Sequence, residues 1–197
     1  MPTPLHDERL TTVLQVLLAH GVQSVLDLGC GRGEMLALLL AEPQFTRIVG
    51  MDVSPQALEA AQGLRAGQEE RLDLVHGSYT QPVAGLDGFD AALLVETIEH
   101  LDPSRLSQVE HAVFDAYRPR LVVITTPNRD YNVLHGLAEG VMRHRGHRFE
   151  WTRAKFKSWA EGVAARNGYA VVFADLGAVH LHLGGSSQMA TFTLREI

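Results

Sequence analysis

The chain has a single cysteine in 197 residues, so no internal disulfide can form and the fold must rest on burial and hydrogen bonding. It also lacks any apolar run of 18 residues and any charged-then-apolar leader, which leaves a membrane span and secretion without support. A cytoplasmic address is the expectation. Positive charge is scarce. Seventeen Lys and Arg stand against 23 Asp and Glu, a formal charge of −6, so overall charge binds this chain to neither nucleic acid nor an anionic membrane. A partner of that kind must meet a local patch. Gly 18 and Pro 8 are too few for a low-complexity chain, and the length fits one domain over residues 1–197.

What is present is an alternation of short apolar runs and amphipathic helices. From Leu5 onward, Leu10, Val13, Leu14, Leu17 and Leu18 recur at helical spacing. Gln23 to Leu28 reads as a buried strand, and Glu34 to Ala41 as a helix. Arg47 to Asp52 is a second strand, followed by a helix from Ser54-Pro55 through Leu64 with serine at its N-cap and proline in its first turn. Leu72 to His76, Phe89 to Val95 and Leu121 to Thr125 supply three more strands, with a helix from Asp102-Pro103 to about Tyr117 between the last two. A helix over Trp151 to Asn167 and strands at Tyr169 to Asp175 and Gln188 to Leu194 complete the series. The alternation predicts an α/β fold: a doubly wound, mostly parallel seven-stranded sheet with helices on both faces. The last two strands have no helix between them, so the final one should run antiparallel. Ligands in such a sheet lie beyond the carboxyl ends of the strands.

Between the first strand and its helix stand Gly29, Gly31 and Gly33, where missing side chains would let a ligand approach backbone N–H groups. The spacing is Gly-x-Gly-x-Gly and departs from the dinucleotide fingerprint Gly-x-Gly-x-x-Gly. Asp52 ends the second strand, where a carboxylate can accept two hydrogen bonds from a ribose diol. Asp27 through Gly33 together with Asp52 resembles the first two motifs of the S-adenosylmethionine-dependent methyltransferases with a doubly wound sheet. The resemblance implies a methyl donor whose amino acid end is held by Asp27 and the glycines, whose ribose is held by Asp52, and whose adenine lies near Ser78. Cys30 reads as a packed loop residue.

Glu96-Thr97-Ile98-Glu99-His100 follows the fourth strand, at the edge where the donor's reactive end should project. One helical turn would bring Glu96, Glu99 and His100 to one side, and two adjacent carboxylates invite protons or a divalent cation. Many small-molecule methyltransferases carry a similar segment without metal, so the motif leaves both readings open. Further on, Thr126-Pro127-Asn128 follows the fifth strand, and Arg143-His144-Arg145-Gly146-His147-Arg148-Phe149-Glu150-Trp151-Thr152-Arg153 forms a dense basic and histidine-rich run. Together these strings resemble the RNA 3′-terminal ribose 2′-O-methyltransferases, which protect small RNAs in eukaryotes and mark repaired RNA ends in bacteria.

That resemblance implies Glu96, Glu99, His100 and His147 as metal ligands, with manganese favoured by the imidazoles and magnesium as the alternative. The ion would hold both hydroxyls of the terminal ribose, so selectivity for a free RNA 3′ end would follow from coordination, with no DNA expected as substrate. His144 is a candidate proton acceptor. The family usually has an acidic residue before the last histidine, where this chain has Gly146, so a partner for His147 is expected to be missing. The resemblance further implies a catalytic domain forming the C-terminal part of a longer protein, working beside an RNA end-healing kinase and phosphatase.

Six cations between Arg143 and Lys157 form the local patch that overall charge lacks, suited to the phosphates of a single-stranded end. Trp151 reads equally as a base platform or a loop anchor. His180 and His182 alternate on an extended stretch without carboxylates and read as solvent-facing. Three other readings stay open: a metal-independent methyltransferase of a small molecule, a nicotinamide oxidoreductase, and a module that binds a nucleoside without turnover.

Overall fold

The computed structural model describes residues 3–195. Seven strands form one sheet in the order β3-β2-β1-β4-β5-β7-β6. They are β1 (Ser24–Leu28), β2 (Arg47–Asp52), β3 (Leu72–His76), β4 (Ala91–Val95), β5 (Leu121–Pro127), β6 (Tyr169–His180) and β7 (Gly184–Leu194). The first five pair in parallel, and β7 runs antiparallel to both β5 and β6. The doubly wound expectation and the reversed final strand are both found. The chain order reverses between β1 and β4, and their carboxyl ends therefore open the crevice in which ligands of such sheets bind.

Helices α1 (Pro4–Ala19), α2 (Glu34–Ala41) and α3 (Pro55–Ala61) pack with one apolar cluster, in which Leu17, Leu36 and Leu39 meet Val25, Ile48 and Leu93. The other face carries α4 (Leu106–Val109), a wider π-wound continuation over Glu110–Tyr117, and α5 (Arg153–Asn167), where Phe114, Phe156 and Val163 meet Leu28, Val122 and Phe192. Both faces are covered, as a central parallel sheet requires. α1 starts where Thr3 accepts from the His6 N–H at 3.2 Å, and α3 where Ser54 accepts from the Ala57 N–H at 3.2 Å.

Two expected elements depart most from the sequence reading. The β6–β7 hairpin is longer than the sequence reading, because pairing continues to His180 opposite Gly184 past an irregularity between Leu176 and Val179. His180 thus ends a strand and His182 lies exposed in the connecting turn, and among the described residues neither belongs to a set of three candidate metal ligands. The Asp102–Tyr117 helix is wound unevenly, beginning as a 3₁₀ turn over Pro103–Arg105 and ending with Arg118 in the left-handed region.

Gly50, central in β2, lies against α2: a Cβ there would sit 2.6 Å from Leu36 Cδ1 and 3.0 Å from Cys30 Sγ. Gly63 faces open space. Gly50→Val is therefore expected to lower stability by roughly 1–3 kcal/mol through overpacking, while Gly63→Ala stays within about 0.5 kcal/mol of the parent. Denaturant midpoints of the two variants check this.

Candidate active site

The glycine loop after β1 binds itself before it binds anything else. The N–H groups of Gly29 and Cys30 both donate to the Met51 carbonyl, at 2.8 and 2.9 Å, and the Gly31 N–H donates to Asp52 Oδ2 at 2.9 Å. The expectation that these amides await a ligand is therefore corrected. What glycine provides at position 29 is room: φ is +88°, and a Cβ would fall 2.5 Å from Thr97 Oγ1. Gly33, with φ +93°, opens α2 and leaves no space for a Cβ beside Leu64 and Ala61.

Asp52 also accepts from the Ser54 N–H through Oδ1, at 2.8 Å. Each of its oxygens thus spends one lone pair on the loop and keeps another for a ribose hydroxyl. Asp27 is buried, with Oδ2 unpartnered. Burial, then the charges of Asp52 and Glu34, push its carboxyl up from an ordinary 3.8 to about 7. An ammonium group is the natural counterion for such a carboxyl. Ser78 shares a 2.7 Å hydrogen bond with Thr80, whose hydroxyl also accepts from Arg105 at 2.8 Å. Cys30 is buried and burial raises its thiol pKa, which keeps it inert.

A cleft of about 480 Å³ joins these parts, with Gly29, Asp52 and Ser78 at its cofactor side and Glu96, Thr97 and His100 lining it too. Its placement follows from β1, β2 and β4 ending together at the topological switch.

The segment after β4 does not make the simple helical turn expected for it. Glu96 adopts φ +50°, rare for a residue with a side chain, and the 3₁₀ turn begins only at Ile98. The Glu96 N–H donates to the Thr125 carbonyl at 3.1 Å, which holds the strained residue at the end of the sheet. The three side chains consequently take different environments. Glu96 pairs with Arg9 at 3.2 Å and accepts from Ser187 at 3.3 Å. Glu99 is fully buried, with Oε2 accepting from Thr126 at 3.0 Å and Oε1 without a donor. Burial raises both carboxyls, and for Glu99 the Glu96 charge adds to this, while Arg9 works in the opposite direction. Arg9 on α1 is a partner that sequence reasoning missed. A buried cation in an otherwise apolar helix stripe was the available signal, visible as Arg9 beside Leu10.

Among the described residues, one set of three or more candidate ligands has all its ligand atoms within 4.8 Å of one another, and it is His100, His144 and His147. The two glutamates lie outside it. Hydrogen bonds separate the three rings by tautomer. His100 Nδ1 faces the Gly146 carbonyl at 3.2 Å and His147 Nδ1 faces Glu150 Oε1 at 2.6 Å. Both partners only accept, so Nδ1 carries the proton and Nε2 is left with a free lone pair. His144 is the reverse, since its Nδ1 accepts from the Gly146 N–H at 3.0 Å. Its Nε2 therefore carries the proton when the ring is neutral, and the expected role of His144 as a proton acceptor does not fit this arrangement.

The expected gap behind His147 is also filled. Glu150 is buried and accepts from His147, from the Arg143 N–H at 2.7 Å and from Asn132 at 2.6 Å. Although burial pushes its pKa up, the Asn132, His147 and Arg143 hydrogen bonds outweigh this and hold it below the usual range. Gly146 has no side chain to orient His147, and a carboxylate three residues later does so instead. Trp151 packs against Phe149 and Trp159, with ring centroids 4.5 and 5.5 Å away, which makes it an anchor of this loop.

The donor types, two carboxylates and two imidazoles, are ones a divalent cation takes, while the ligand atoms of the expected four are not gathered within 4.8 Å of one another. Glu99 Oε1 is buried and unpartnered, two imidazoles present free Nε2 atoms, and a second carboxylate is neutralised by a single arginine. Of these groups, Glu99 Oε1 is the one left buried without a partner.

A methyltransferase domain family model matches residues 25–120. Over 96% of its length the chain is 34% identical to the small RNA 2′-O-methyltransferase of Mus musculus, covering 51% of that protein. The crystal structure of the methyltransferase domain of bacterial CtHen1-CN is 40% identical, superimposes with a TM-score of 0.87 and is covered completely, with 96% of this chain aligned. The chain belongs to the Hen1 methyltransferase family. A further Hen1 structure, that of the small RNA methyltransferase HEN1, is 28% identical with a TM-score of 0.89 over 99% of this chain and 27% of the other. The chain spans about half the length of the curated relatives it matches. As a Hen1-family domain it has a place for S-adenosylmethionine; Asp52 and Ser78 line the cleft, and Asp27 lies buried on β1.

Two outcomes follow. Folding raises the Asp27 pKa, so the native chain binds an extra proton between about pH 4 and 7, and the Asp27 contribution to stability falls as pH rises through that window. Asp27→Asn removes this contribution, and the stability gap between variant and parent should widen in the variant's favour from pH 4 to 7 by chemical denaturation. Glu150→Ala should cost roughly 1–3 kcal/mol for the donors it leaves unpaired. Nitrogen-15 spectra of the imidazoles should show His147 passing from one tautomer, protonated at Nδ1, to a mixture.

Proposed function

We propose that this domain transfers a methyl group from S-adenosylmethionine to the 2′ hydroxyl of the 3′-terminal nucleotide of RNA, in a reaction that depends on a divalent cation. The observation that carries the reading is the single cleft that runs from Gly29, Asp52 and Ser78 to Glu96 and His100. Two of the candidate metal ligands, Glu96 and His100, thus share a space with the residues proposed to seat the donor. The names of the relatives support RNA as the acceptor.

Each group has a defined task. Asp27 offers a buried carboxyl to the ammonium of the donor, and Asp52 offers its remaining lone pairs to the ribose. Gly29 keeps the space beside Thr97 open. The 2′ oxygen attacks the sulfonium methyl in line, the carbon–sulfur bond breaks to leave adenosylhomocysteine, and the hydroxyl proton passes to solvent water. Glu96, Glu99, His100 and His147 would hold the cation, manganese before magnesium, and the ion would supply Lewis-acid stabilisation of the developing oxyanion. Glu150 keeps His147 in the tautomer that presents Nε2, and Gly146 does the same for His100 through its carbonyl. We assign the domain to RNA repair or small-RNA end protection, as the catalytic part of a longer cytoplasmic protein with an RNA end-healing kinase and phosphatase as partner. No helix among the described residues is long and apolar enough to cross a membrane.

A labelled methyl-transfer assay tests the reading. RNA ending in a 2′,3′ diol should be methylated with manganese and not after chelation, while adenosylhomocysteine still binds by calorimetry. A 2′-deoxy end removes the nucleophile, and strands ending in a 3′ phosphate or 3′ deoxyribose should react far more slowly. Full activity under chelation would overturn the metal assignment. Equal rates on blocked and diol ends would overturn end selection, and transfer to no RNA would favour a small-molecule acceptor.

A further inference from the structure

A second cavity, of about 350 Å³, adjoins the histidine loop, and Arg129, Val141, Met142, Arg148, Phe149 and Trp151 line it. Its wall is tied to the active site at two points. The Arg148 N–H donates to the Glu99 carbonyl at 2.7 Å, and Glu150, which also borders the cavity, holds His147. The groove therefore begins where the reacting centre ends.

The basic run between Arg143 and Lys157 divides sharply in this structure. The Arg143 guanidinium is consumed inside the fold by Asn132, Asn128 and Ser186, and Arg153 pairs with Asp175 at 3.6 Å. Lys155 and Lys157 lie over the Trp151 and Phe173 rings. Arg129 and Arg148 are different. Both are exposed, both border the groove, and neither guanidinium has a hydrogen bond or a carboxylate within 4 Å among the described residues; Arg145 is exposed too but does not line the groove. Between them Val141 and Met142 are 48% and 40% exposed, and partly buried Trp151 adds aromatic surface.

Two free guanidiniums around an apolar wall match one ligand chemistry closely. An unpaired nucleotide places a flat base on apolar and aromatic surface and flanks it with phosphates that accept forked hydrogen bonds from arginine. A small anion would leave the wall wet, and an apolar protein segment would leave the two cations uncompensated in a chain of net charge −6. We propose that this groove holds the nucleotides immediately 5′ of the terminal one, with Arg129 and Arg148 engaging their phosphates. The proposal rests on RNA being the substrate. It makes affinity depend on strand length, since a lone nucleoside reaches the reacting centre and not the groove.

The test is binding of a fluorescent ten-nucleotide RNA with a 3′ diol, read by anisotropy over a salt series without methyl transfer. Arg129→Ala combined with Arg148→Ala should weaken binding at least tenfold and lower the log–log salt slope by about 1.4, for two single-strand phosphate contacts at about 0.7 each. Met142→Asp, at an exposed position, should weaken binding similarly by placing a negative charge in the groove. Adenosylhomocysteine affinity serves as the folding control and should not change. Unchanged RNA affinity and salt slope in both variants would overturn the groove while leaving the methyltransferase reading intact. Absence of RNA binding by the parent protein would overturn the RNA reading itself, and the groove with it.

Discussion

The site is organised around two carboxylates that the fold draws away from water at the end of β4, Glu99 completely and Glu96 in part. Glu96 and Glu99 repel one another in a buried setting, and desolvation pushes both toward protonation. Arg9 from α1 and the hydroxyls of Ser187 and Thr126 offset part of that cost. One oxygen of Glu99 remains without a partner. Buried charge with incomplete compensation is expensive for folding, and such groups are concentrated where chemistry uses them. The left-handed backbone at Glu96 belongs to the same arrangement, because it turns the chain from the sheet into the 3₁₀ turn that buries Glu99 and exposes His100.

The histidines show how hydrogen bonds decide what an imidazole can do. Three rings meet within a few ångströms, yet acceptors at Gly146 O and Glu150 leave His100 and His147 with free Nε2 lone pairs, while the Gly146 N–H takes the lone pair of His144. A single glycine thus orients two of the rings through its backbone. Glu150, held by three donors, orients the third.

The same division between interior and surface runs through the basic segment. Arg143 closes the loop onto β5 and β7, and Arg153 braces α5 against β6. The cations left for a ligand are fewer than the sequence displays, and Arg129, which contributes to the groove, lies outside the run altogether.

By itself the sequence determined the alternation of strands and helices, the reversed last strand, the glycine turn and the two carboxylate positions at strand ends. Each of these is a local property: periodicity, a turn composition or a capping residue read within a few neighbours. The strings Glu-x-x-Glu-His and Arg-His-x-x-His-x-Phe-Glu-Trp-Thr-Arg carried the family as well, because so long a set of polar residues has no use in core packing. Tertiary structure alone decided that Arg9 faces Glu96, that Glu150 supplies the acceptor absent at Gly146, that His144 is protonated on the wrong nitrogen for a base, and that Arg143 is a structural cation. Those outcomes depend on which groups, far apart in the chain, share a low-dielectric space. A buried charge or ring takes its state from the partners that enclose it, and sequence spacing does not encode who those partners are.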